Sequence, residues 1–176
     1  NDIFPRSVFR TSPGAQRIVD GLNPGQPKLC GLEILSGSHI PEKLRGVLIA
    51  PDFRGHRINA YRLTPEGSSY KSTRIDDFLS SSHRAFRPID VKMGPDGGLY
   101  IADWYNPIIQ HGEVDFRDER RDHSRGRIWR VTFKDRPLVE KKNFSQSSIE
   151  DLVVHLLSKE RVHREQARSE LRTRNR

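Results

Sequence analysis

Between Asp103 and Arg127 the sequence gathers an unusual density of side chains able to do chemistry. Asp103 closes the apolar run Leu99–Ala102, and a carboxylate at a strand end can ligate Ca²⁺, orient a sugar hydroxyl, or simply cap the turn that follows. His111 can act as a base that takes the proton of an alcohol, or stand in solvent. His111, Asp115 and His123 offer metal ligands, at a spacing that matches no strict motif. Arg125, Arg127 and Arg130 can bind an anionic cofactor, or pair with acids on strand faces. Trp104 can stack on a sugar ring or planar cofactor, or pack against neighbouring structure. An interval this charged cannot be buried without a partner for each charge. Loops of this length in a compact domain are usually functional or disordered, and the aromatics Trp104 and Tyr105 argue for order.

The flanking elements must position these groups. "PIDVKM" alternates, placing Ile89, Val91 and Met93 on one face and Asp90 and Lys92 on the other. "GPDGG" is a turn, "LYIADW" the return strand and "GRIWRVTF" a further strand. Upstream, "GVLIAPD", "RINAYRLT" and "SYKSTRI" read as strands separated by the turns "FRGH" and "PEGS". Arg54, His56 and Arg57 then lie at a hairpin tip, most simply a solvated one. "GVLIAPD" resembles "GGLYIAD", and "RINAYRLT" resembles "RIWRVT", so a strand unit recurs with an insertion after Asp103. Residues 1–28 are rich in Pro, Gly and Asn and read as loop with one short strand.

The repeat predicts a mainly β chain: one to two blades of a six-bladed β-propeller over residues 1–136, then a linker over 137–146. Beyond it the period changes. Ile149, Leu152, Val153, Leu156 and Leu157 form one helical stripe, read as core, with Ser147 or Ser148 as cap and Glu150 and Asp151 in the first turn. A second helix from about Arg161 carries Val162, Ala167 and Leu171, so residues 147–176 read as the start of a HEAT-like helical repeat. The chain reads as a fragment of something larger.

Bulk properties narrow the classes. Of 176 residues, 34% are hydrophobic and 31% charged, with net charge +8. Half of that excess lies from Lys134 onward. The bases are mixed with acids and not interleaved with stacking aromatics, so nucleic acid is not the expected partner. No apolar run is long enough to span a bilayer. The single cysteine, Cys30, excludes an internal disulfide and a C-x-x-C-H haem attachment.

"FRPIDVKMGPDGGLYIADWYNPIIQH", followed by "RDERRDHSRGRIWRVT", resembles the membrane-bound dehydrogenase family abundant in Planctomycetes, and "PEKLRGVL" resembles that family's preceding blade. The resemblance spans roughly Gly31 to Arg172. That family is similar to the glucose/sorbosone dehydrogenases, which use pyrroloquinoline quinone (PQQ) and Ca²⁺. The resemblance implies a propeller, HEAT-like repeats and, in a downstream domain not contained here, a c-type haem. It implies a sugar or alcohol substrate, an electron-acceptor domain or cytochrome as partner, and a periplasmic or extracytoplasmic setting, with membrane attachment through other parts of a parent chain; the alternative is a non-catalytic propeller that binds glycan or a protein partner. The residues expected at the ligand are Arg87, Asp90, Asp103, Trp104, Tyr105, Asn106 and Arg125, with His111 as candidate base and Asp103 as candidate Ca²⁺ ligand.

Overall fold

The computed structural model describes residues 28–109 and 114–174. Short alternating segments punctuated by Gly, Pro and Asp form seven strands in two antiparallel sheets. The first sheet runs in the order β1 (Glu33–Ile34), β2 (Val47–Asp52), β3 (Arg57–Glu66), β4 (Ser69–Ser80). The second runs β5 (Pro88–Met93), β6 (Leu99–Asp103), β7 (Arg127–Val131). Within each sheet every strand pairs with its sequence neighbour; the β2–β3, β3–β4 and β5–β6 turns are short, whereas the β1–β2 connection carries a 3-10 turn (Glu42–Leu44) and the β6–β7 connection is the longest. At the β5–β6 turn Gly97 sits at φ 77°, and a Cβ there would stand 2.7 Å from a methyl of Val139. Glycine is required there both for the backbone conformation and for the close approach.

The two sheets share one core of Leu35, Ile40, Val47, Ile49, Ile58, Ala60, Val91, Leu99 and Ile101. All six residues of β2 are buried, since its other face packs Leu48 and Ala50 on Tyr61 of β3. β5 departs from simple alternation. Its register against β6 shifts between Pro88 and Asp90, and Ile89 turns outward while Val91 stays buried. An extra residue on one strand reverses the facing of what lies beside it.

The expectation of propeller blades followed by a HEAT-like hairpin is corrected by this architecture. The chain forms two open antiparallel sheets, of four and three strands, plus two helices. Helix α1 (Ile149–His155) and helix α2 (Arg161–Arg174) close on Phe144, Leu152 and Ala167. They dock on the first sheet instead of starting a separate stack. Arg161 forms a two-pronged ion pair with Glu33 of β1 at 2.7 and 2.8 Å, and the Ser38 amide donates to Glu160 at 2.9 Å. Ser148 caps α1 by accepting from the Asp151 amide. Of the predicted apolar stripe, Leu152 is buried, while Ile149, Val153 and Leu157 are exposed, Leu157 to 88%. A seven-residue helix packed against one neighbour covers one side only.

The segment 137–146, read as a linker, is laid onto the sheets. Val139 is buried and its amide donates to Asp96 O at 2.8 Å; His39 Nδ1 donates to Pro137 O at 2.9 Å. The reading of residues 1–28 falls, apart from Lys28, outside the described residues.

Candidate functional site

The long connection from β6 to β7 is anchored at its root by Asp103. Strand register puts Asp103 directly across from Arg127, the first residue of β7. Asp103 Oδ1 accepts from the amides of Arg87 (2.8 Å) and Tyr105 (2.9 Å). Its Oδ2 accepts from Arg127 Nε (2.8 Å) and Nη2 (2.7 Å) and from Trp129 Nε1 (2.9 Å). The side chain is fully buried. Burial opposes its charge, but the hydrogen bonds from Trp129, the two amides and Arg127 outweigh burial and hold the carboxyl below its usual range. A carboxylate with five donors has no lone pair left for a metal or a sugar hydroxyl. Asp103 fits neither role expected of it, and its work is to close the turn and pin β7.

Arg87 is likewise buried and structural. It donates from Nε to Asn106 O (2.8 Å), from Nη1 to Phe53 O (2.9 Å) and Arg54 O (3.3 Å), and from Nη2 to Pro107 O (3.0 Å). His56, at φ 55°, donates from Nδ1 to Phe86 O, which leaves Nε2 to face Arg87 Nη1 at 3.3 Å. The β2–β3 turn is therefore tied to the long loop and is not a solvated tip. Burial lowers the Arg87 pKa, and so does the neighbouring charge of Arg84, against the attraction of Asp103.

The other predicted residues divide. Asn106 is buried, accepts from the Ile108 amide and reaches Asp122 O with Nδ2. Tyr105, at φ 54°, has Arg127 over its ring at 3.9 Å and His83 stacked at 5.9 Å. Trp104 is partly exposed, Arg125 reaches only Asp122 of its own loop at 3.6 Å, and Asp90 accepts from the Val91 amide and Lys92. Arg130 pairs with Asp96, as a strand-face arginine would. His111 lies outside the described residues. Among the described residues no three His, Cys, Asp or Glu side chains come together to hold a metal ion.

The rest of the loop is ordered by a device that sequence reading missed. Asp115, Asp118 and Asp122 each accept from the amide two residues on, at 2.8 to 2.9 Å. These are successive Asx turns, and the signal was the recurrence of Asp two places before Arg117, Arg120 and Ser124. Arg121 is buried, donating to Asp115 O and Val114 O, with its guanidinium over Phe116. Arg120 grips Asp118 with two prongs and holds its carboxyl well below the usual range.

The ordered loop forms one wall of an open cleft of about 590 Å³; residues 82–85 form the other. Ser82, His83, Arg84, Tyr105, Glu119 and Arg120 line it. The chain is thus a mainly β scaffold with a polar loop set against residues 82–85 across a cleft. Residues 4–135, most of the chain, match the family described as Domain of unknown function (DUF7133), and the chain belongs to that family. No curated protein and no solved structure matches it. Among the described residues no helix is long and apolar enough to cross a membrane.

Proposed function

We propose that this chain is the recognition part of a sugar or alcohol dehydrogenase-like protein, its described residues supplying a wall for the ligand and none of the reacting groups. The observation that carries the reading is the saturation of Asp103 beside a cleft whose rim keeps free donors. The dehydrogenase context is supported by the resemblance of the Phe86–Thr132 motif. Ca²⁺ does not fit at Asp103, where every lone pair is engaged. A planar quinone stacking on Tyr105 would have to compete with Arg127 and His83, which already lie against that ring. No redox step is therefore assigned to these residues. In this reading the sugar or alcohol is the partner, any electron acceptor belongs to other parts, and the setting is extracytoplasmic.

Calorimetry of the chain against a saccharide panel, and against PQQ with and without Ca²⁺, tests the proposal. The expected result is saccharide binding without quinone binding. Calcium-dependent quinone binding that disappears in Asp103→Asn would overturn it. A second reading, docking of a protein partner, is favoured by the exposed face Ile149, Val153, Leu157 of α1. It predicts that substituting that face abolishes partner capture while the loop is indifferent.

A further inference from the structure

We infer that the cleft between residues 82–85 and the β6–β7 loop binds an acidic sugar, a ring bearing one carboxylate among hydroxyls; this rests on the recognition reading above. Three consecutive residues at the rim keep donors available. His83 Nδ1 accepts from the Ala85 amide at 3.2 Å, which leaves Nε2 as a donor. The Ser82 hydroxyl and the Arg84 guanidinium have no hydrogen-bond or ion-pair partner among the described residues, although both line the cleft. Arg84 also sits near enough to Arg87 for the two charges to repel, and the Arg87 guanidinium is met by carbonyls and His56, with no carboxylate among its hydrogen bonds. Asp103 offsets part of the Arg87 charge, whereas Arg84 has no carboxylate partner among the described residues, and a carboxylate on Arg84 would form the two-pronged bond that guanidinium favours.

The opposite wall limits what the anion can be. Arg120 is engaged by Asp118, so it adds no free charge. Glu119 lines the cleft and, among the described residues, is in no ion pair; it would repel a highly charged ligand and accept hydroxyls. Asp122 adds a second acid, already turned toward Ser124 and Arg125. One guanidinium facing one carboxylate across an open cleft, with a hydroxyl and an imidazole donor beside the guanidinium, matches a uronate: carboxylate toward Arg84, ring hydroxyls toward Glu119. Phosphorylated or multiply sulfated ligands carry too much charge for the Glu119 side. The cleft, at about 590 Å³, lies in the size range of small-ligand sites and has room for a disaccharide.

The test is calorimetric titration of the chain with a galacturonate dimer, a neutral galactose dimer and acetate, at low and physiological salt. The expected result is saturable binding of the uronate, about tenfold or more tighter than either control, and lost by about tenfold in Arg84→Ala as one charge-assisted contact disappears. Arg84→Lys should recover part of the affinity, and Glu119→Ala, which removes the acceptor of the ring hydroxyls, should weaken the uronate relative to acetate. Arg84 and Glu119 are solvent-facing, so these variants should keep the wild-type circular dichroism and melting curve. Equal binding of neutral and acidic dimers, unaffected by Arg84→Ala, would overturn the acidic class and leave the recognition reading standing. Binding of no saccharide would overturn both. Acetate binding as tight as the uronate would reduce the site to a bare positive patch and overturn the inference.

Discussion

Replacing Asp103 by Asn tests whether this residue is a structural pin. Asn keeps the shape and can keep Oδ1 under the amides of Arg87 and Tyr105. Its Nδ2 then points hydrogens at Arg127 and Trp129, where three donors previously met Oδ2. Hydrogen bonds to a charged group are worth about 1.5–3 kcal/mol each, and breaking a buried pair costs about 3–5 kcal/mol. Arg127 is 29% exposed and can turn to solvent, which brings the expected loss down to about 3 kcal/mol. Urea denaturation followed by tryptophan fluorescence measures it, because Trp129 lies at the broken bond. A cycle with Arg127→Met and the double variant should give a coupling of about 1 kcal/mol or more between the two positions. A loss below about 1 kcal/mol with no coupling would refute the assignment of Asp103 as the pin.

Arg87→Met leaves the carbonyls of Phe53, Asn106 and Pro107 without their donor; a loss of about 3–5 kcal/mol is expected by the same denaturation, with little recovery in Arg87→Lys because one ammonium cannot span those acceptors. Glu33, opposed by burial but favoured by Arg161 and the Met93 and Ile34 amides, is held below its usual range, as is Asp103. Depressed carboxylates contribute stability that is fully present above their unfolded pKa values of about 4 and is lost as pH falls further; melting temperature against pH should drop there, and less steeply in Glu33→Gln. Tyr61 is buried and its hydroxyl has no partner among the described residues, so Tyr61→Phe should be neutral or stabilising by up to about 1 kcal/mol in thermal denaturation.

Local pattern located β2 to β7 and both helices, because alternation and the change to a helical period are properties of adjacent residues; the two-residue β1 is too short to show a pattern. Pattern failed where the outcome depends on distant residues. The bulge that turns Ile89 outward is set by how β5 meets β6, and the exposure of Leu157 by how few elements pack on α1. The propeller reading extended a true internal resemblance to a whole architecture. The two strand units do recur, but they form open sheets of unequal size, and the helices are tied back by Arg161 to a residue 128 positions earlier. At the candidate site, sequence singled out the interval after Asp103, and the structure places Tyr105 in the wall of the cleft while Arg87, Asp103 and Asn106 are buried. Sequence misjudged their work, since Arg87, Asp103 and Asn106 look identical in sequence whether their polar atoms face a ligand or each other. His83, Arg84 and Glu119 drew no notice, being single polar residues in ordinary turns. Only the fold brings residues 82–85 against residues 119–122.

The cost of ordering the loop argues for what it is for. Fixing the described residues of this polar loop costs about 1–2 kcal/mol per residue in backbone entropy, and a loop needed only to join β6 to β7 could be about two residues long. This loop meets that cost with three Asx turns, a buried Arg121 and the Asp103 node, and none of these contributes to the core shared by the sheets. What the ordering does produce is a fixed position for Glu119 and Arg120 opposite His83 and Arg84. The bonds that deny Asp103 a chemical role are therefore the bonds that set the width of the cleft. Stability and ligand affinity should fall together when the node is broken, whereas substitutions at Arg84 and Glu119 should change affinity alone.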